Sequence, residues 1–486
     1  MPTSVQLRNN DMTSGDRHAQ GFETAVKRKI GFVYRGTFMV SGVGSCIRIM
    51  AELKKLVVPT RFALLMLICS VAPAAPPASS PIDMAQAKAA FAEAEAVSNQ
   101  EAGRLWGKKL YGSLFFVDPE TRAVVANEPD PAGVLHAADG VYIGTLPKEV
   151  IVSNAPVEWE GKRWTMLIWP ALPTDVIDRR IVFGHELFHR IQPALGLMAP
   201  DSLNLQLDTL EGRLWLQLEW RALAAALNGQ GPAQTQAVRD ALAFRSHRHE
   251  LFAGATQTEA SLEIAEGVPE YTGTIAGEPD RDSSRWRAIG KLSAPDQSIS
   301  FVRSFAYTSG LPYGLLLDER LPGWRAKLST KSDLSALLAS TLPPHAEVSA
   351  EARAPLYGAA AIRVAEAERA AKAEAAKARY RARLVEGPTL LLPGGHKFAF
   401  SFNPSTLLSL DDANTVYPTF HATAEWGTLD VTDGVLVPTD FSRATVAASK
   451  NTQGPHLEGP GWTLELAAGW SVVPGAKAGS YTVAKK

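Results

Sequence analysis

The chain is poor in cysteine: 486 residues contain two, Cys46 and Cys69, and both lie before residue 75. The remaining residues therefore offer no disulfide framework and no thiolate metal ligand, so any metal must be held by histidine and carboxylate. Charge of one sign is also missing. Lys and Arg number 49 against 50 Asp and Glu, a formal net charge of −1. That balance gives no electrostatic case for nucleic acid as a partner. Long apolar runs are absent too; the longest, Phe62–Val71, is well short of the ~20 residues a membrane-spanning helix needs. Hydrophobic residues make up 46% of the chain, enough for a packed globular core, and the length suggests two or three domains.

The short apolar run has a second meaning. Lys54, Lys55 and Arg61 precede it, and Ala72-Pro73-Ala74 follows it. A basic segment, a short apolar segment and an A-x-A site together form the pattern of a secretory signal peptide over residues 50–74, with translation starting at Met50 and residues 1–49 a non-native or disordered extension. Ile68 before Cys69 speaks against lipidation. Cleavage near Ala74 is expected to release a secreted or periplasmic chain with no stable membrane anchor. It would retain 39 basic and 46 acidic residues. Residues 75–81 are a Pro/Ala/Ser linker.

What is present centres on Ile181-Val-Phe-Gly-His185-Glu186-Leu-Phe-His189. HELFH is an HExxH motif. Two histidines four apart on a helix share one face and can reach a single Zn²⁺, and Glu186 then stands where it can take a proton from an activated water. The surrounding Val176, Ile177, Ile181, Val182, Phe183, Leu187, Phe188 and Ile191 predict a mostly buried helix, capped by Thr174 or Asp175 and stopped at Pro193. A catalytic zinc site needs a third protein ligand. Glu211 and Glu219 on the amphipathic helix expected over 205–228 compete with Glu266, which belongs to a run of Glu259, Glu263, Glu266 and Glu270 along one helix face. His247-Arg248-His249 reads as a surface cluster rather than a second site.

HELFH followed by Ala265-Glu266-Gly-Val-Pro-Glu270-Tyr271 resembles the gluzincin metallopeptidases, whose aminopeptidase-N-like members carry a close variant of the second segment. The resemblance implies His185, His189 and Glu266 as zinc ligands and Glu186 as general base. A helical insertion over 195–258 lengthens the spacing and keeps Glu219 and Glu211 in contention. It also implies a tyrosine aimed at an oxyanion, with Tyr307 the first choice and Tyr313 its neighbouring competitor. The likeness covers roughly residues 160–320. No GxMEN-like element precedes HELFH, which weighs against an aminopeptidase.

The expected fold is α+β. Residues 82–387 would form a zincin-like domain, a twisted sheet over helices, in which Trp164–Trp169 serves as the edge strand for an extended peptide or protein substrate. Residues 388–486 would form a C-terminal all-β sandwich-like module. Two other functions fit the same residues: a zincin-like scaffold that binds partners through the β-module, and a metal-dependent hydrolase of non-peptide bonds.

Overall fold

In a computed structural model of the chain, the residues described are 82–278, 280–293, 300–344, 349–394, 398–403, 406–411, 413–449 and 451–485. The expected leader and linker lie outside them. Among the described residues no helix is long and apolar enough to cross a membrane.

The chain is mixed α/β. Helix α1, Met84–Glu101, starts where Asp83 accepts a hydrogen bond from the Gln86 amide at 2.9 Å. Six short strands follow: β1 Leu114–Val117, β2 Ala123–Ala126, β3 His136–Ala138, β4 Val141–Thr145, β5 Ala155–Trp159 and β6 Lys162–Ile168. They form one sheet in the order β3-β4-β2-β1-β6-β5, with β1 and β6 its one parallel pair. Side chains alternate across a strand. Leu114 and Phe116 therefore join the main helical core, while Phe115 and Val117 join a separate cluster with Trp159, Trp164 and Met166. Burial on both faces explains why these strands read as continuous apolar runs.

One expectation about this sheet needs correction, and it turns on β5. Val150 and Val152 pack from a loop, and that strand begins at Ala155. Pro156 is tolerated in it because β5 pairs on one side only. For the same reason Trp164–Trp169 does not supply the edge. It overlaps β6, which is paired with β1 and β5, so the free edge next to it belongs to β5.

Helix α2, Val176–Ile191, carries HELFH and is capped by Asp175. Helices α3 Leu210–Asn228, α4 Gly231–Leu251 and α5 Ala255–Leu262 follow, then a π-turn at Glu263–Gly267 that leads into α6, Val268–Gly277. Pro269 accounts for the interruption of the helical run. It has no N–H for the Ala265 carbonyl, and its ring crowds that carbonyl in a straight helix. The π-turn absorbs the misfit, with the Val268 amide bonded to Glu263 O five residues back. Helices α7 Arg281–Ser293 and α8 Ser304–Arg320 then pack beside α3 and α6. Farther on come α9 Leu334–Ala339, α10 Ala350–Arg353 and the largely exposed α11 Ala359–Arg381.

Glycines set how closely these helices approach. A Cβ on Gly184 would lie 2.9 Å from Gly273 Cα, and one on Gly273 would lie 2.5 Å from Ile181 O and 2.8 Å from His185 N. So α2 and α6 touch backbone to backbone at the motif. Gly267 and Gly310 meet in the same way between the π-turn and α8. Gly273→Ala is expected to cost about 1–3 kcal/mol, the usual cost of overpacking. Gly290→Ala, in α7 with no atom within 4 Å of the new Cβ, should be neutral or slightly stabilising. Denaturant unfolding of the two variants checks this; equal stability would contradict the close approach of α2 and α6.

Twelve strands among the described residues make up the C-terminal part. Seven form a sheet in the order Trp470–Pro474, Tyr481–Lys485, Thr389–Pro393, Arg443–Ala447, Val435–Pro438, Asn414–Tyr417, Leu408–Asp411. Five form a second, His456–Gly459, Trp462–Leu466, Gly427–Val431, Phe420–Ala424, Ala399–Phe402. Both contribute to one hydrophobic cluster that includes Leu392, Val437, Phe420, Trp426 and Leu464. Val302 from the helical part is buried in the same cluster, and Leu203 and Leu205 pack against it.

Candidate metal centre

Helix α2 presents His185 and His189 on one face, with Nε2 atoms 3.1 Å apart. The π-turn brings Glu266 to them: its Oε2 is 3.7 Å from His185 Nε2 and 3.4 Å from His189 Nε2. Among the described residues these three form the one group of His, Cys, Asp or Glu whose donor atoms, all within 4.8 Å of one another, could hold a metal ion.

Each imidazole is held from behind. Glu270, one turn after Glu266, places Oε2 3.3 Å from His185 Nδ1, and Lys291 on α7 pairs with its other oxygen. Gln192 Oε1 lies 2.9 Å from His189 Nδ1. Both contacts draw the ring proton to Nδ1 and leave the Nε2 lone pairs aimed at a common point. Gln192 has a second role. Its Nε2 donates to Ile264 O at 3.1 Å and Ala265 O at 3.4 Å, the carbonyls that face the missing N–H of Pro269.

The electrostatics favour a cation. Burial alone would lower the His185 pKa, but Glu266, Glu270 and nearby Glu186 override it and raise it to about 10. Burial would raise Glu270, yet Lys291 and His185 bring it down to about 2. Burial raises the Glu186 carboxyl above its ordinary range, partly offset by the two histidines. Glu186 Oε2 is buried with no hydrogen-bond partner. The Tyr307 ring lies parallel to His185, centroids 5.6 Å apart, on the side of the site where Glu266 stands. Burial and Glu266 hold that phenol well above its ordinary pKa.

The competing residues lie elsewhere. Glu219 is fully buried, 3.1 Å from Arg245 and 2.7 Å from Arg248, and accepts a hydrogen bond from Tyr313 at 2.8 Å. Glu211 accepts from Trp215 at 3.1 Å and pairs with Arg363 on α11. The His247–His249 segment is not the surface cluster expected from its charge. Arg248 is fully buried and forks onto Glu259 at 3.1 and 2.7 Å, and His249 reaches the same carboxylate at 2.9 Å. Arg245 and Arg248, three apart on α4, turn inward to the carboxylates of α3, α5 and the π-turn. Every carboxylate of the run from Glu259 to Glu270 is paired with a cation, and Glu259, Glu263 and Glu270 are buried.

Three residues at the centre escaped the sequence. Gln192 stands three after His189, a helical spacing that could have flagged it. Lys291 and Arg303 are 21 and 37 positions from the carboxylates they pair with, and no local pattern marks them. No family model, no curated protein and no solved structure matches the chain.

Proposed function

We propose that this protein is a zinc-dependent peptidase with a zincin-like arrangement of its helical part, exported by the leader expected at residues 50–74. The observation that carries the reading is the convergence of His185 Nε2, His189 Nε2 and Glu266 Oε2 beside the unpartnered buried oxygen of Glu186. Two neutral imidazole nitrogens at 3.1 Å repel each other unless a cation or proton lies between them. Two histidines, one carboxylate and no thiolate make a donor set suited to a catalytic zinc, so these residues fit the ion.

When bound, zinc supplies a Lewis acid that makes water a nucleophile near neutral pH and polarises a carbonyl. Glu186 takes the proton of the attacking water at Oε2 and returns it to the leaving amine. A carboxylate oxygen buried without a hydrogen-bond partner is a costly feature in a structural helix, which favours catalysis over a scaffold role. The Tyr307 hydroxyl, beside Glu266, donates to the developing oxyanion. The free edge of β5, next to α2, offers backbone groups to an extended peptide, which favours a peptide substrate over other hydrolysable bonds.

The test is hydrolysis of casein and of short unblocked and blocked peptides. Activity should vanish with a strong chelator and return with about one equivalent of zinc. Full activity in metal-free protein would overturn the reading, and hydrolysis confined to ester or other non-peptide substrates would move it to the alternative hydrolase class.

A further inference from the structure

Arg303 stands at the start of α8, one turn before Tyr307. Its guanidinium donates to Glu266 Oε1 at 3.1 Å and pairs with Asp201 on its other side. The opposite oxygen of Glu266 is the one that faces His185 and His189. Arg303 is therefore not a spare surface cation. Its side chain is 11% exposed, and each of its two partners is a carboxylate.

The segments that carry this clamp are seated on the C-terminal sheets. Val302, next to Arg303, is fully buried in their core cluster, and Leu203 and Leu205, just after Asp201, pack against the same cluster. The Asn204 amide donates to Val302 O at 3.3 Å and ties the two segments together. Tyr417, from the seven-stranded sheet, feels the charges of both Arg303 and Asp201.

We propose, resting on the zinc-site reading above, that Arg303 is a positioning residue that occupies one oxygen of Glu266 so that the carboxylate offers the histidine pair a single oxygen, with the C-terminal β-module as the fixed seat of the clamp. A planar guanidinium suits this task because its fork fixes two carboxylates in one geometry, where an ammonium acts as a point charge. It also leaves one coordination position for substrate that a two-oxygen Glu266 would fill.

Charge and geometry predict opposite signs. A cation beside a metal ligand repels the ion, so by charge alone removing Arg303 would tighten zinc binding. By positioning, removal loosens it, and the loss of a partner that orients a ligand typically costs about 10–100-fold in metal affinity. The experiment measures zinc dissociation constants by chelator competition, and visible spectra of the cobalt-substituted protein, for wild type, Arg303→Gln, Arg303→Lys and Asp201→Asn. Arg303→Gln should bind zinc about 10–100-fold more weakly, with cobalt bands of lower intensity as Glu266 supplies both oxygens. Arg303→Lys keeps the charge but not the fork and should also bind more weakly than wild type. Asp201→Asn, at an exposed side chain, should show the same direction to a smaller extent, and it carries the test if Arg303→Gln does not fold. Affinity unchanged or tightened in the folded variants overturns the proposal whatever the spectrum. Failure of wild type to bind zinc at all would instead remove the metal-centre reading on which it rests.

Discussion

Glu186→Gln is expected to keep the fold and the zinc while losing about 10²–10⁴-fold in kcat/KM, the usual contribution of a general base. The amide matches the carboxylate in size and leaves both imidazoles untouched, but it cannot accept a proton at the needed position. Its effect on stability should run the other way. Glu186 Oε2 is buried without a partner, and burial already raises its pKa, so the charged form is held at a cost. A neutral side chain removes that cost, and the melting temperature of the variant should equal or exceed that of wild type. Zinc content, melting temperature and peptide turnover measured on one preparation decide the matter. Turnover within a few-fold of wild type would remove Glu186 from the mechanism.

The second large effect separates the three carboxylates that compete as third ligand. Glu266→Ala should lose zinc or bind it far more weakly, because two imidazoles alone make half a site. Glu211→Ala should leave zinc content unchanged and cost about 1–2 kcal/mol of stability, since its ion pair with Arg363 is exposed on both sides and the loss comes mainly from the Trp215 indole N–H left without its acceptor. Glu219→Ala should retain zinc yet destabilise strongly. It strips a carboxylate from Arg245 and Arg248, both fully buried, and an acceptor from Tyr313. Removing one partner of a buried ion pair costs about 3–5 kcal/mol, and the lower end applies here because Glu259 and Glu263 still contact the arginines. Zinc content against denaturation midpoint places each variant. Zinc lost from Glu219→Ala and kept in Glu266→Ala would reverse the assignment.

Local features were legible in the sequence and distant ones were not. HELFH declared itself because i, i+4 spacing on an apolar helix is a property of one run of 16 adjacent residues, Val176–Ile191. The π-turn was not read from the sequence; Pro269 marks a break, but its form involves Gln192, which reaches across from the end of α2. The depth of the acidic run could not be read from its spacing. What buries Glu259, Glu263, Glu266 and Glu270 is the supply of Arg248, Arg245, Arg303 and Lys291 from other helices. The same blindness made Arg248 look solvated. In the sheet, Trp164–Trp169 looked like an edge because a strand's neighbours are set by topology rather than by composition. The C-terminal strands were visible as short apolar runs between Gly, Pro and Asp. Their contact with Val302, which ties that part to the candidate centre, was not.

Anomalous diffraction at the zinc edge, on crystals of protein carrying one equivalent of the ion, decides whether His185, His189 and Glu266 hold one catalytic zinc. One peak is expected, about 2.0–2.2 Å from His185 Nε2, His189 Nε2 and Glu266 Oε2, with Arg303 still on the other oxygen of Glu266. A peak at any other residues, or none at this cluster, would contradict the account.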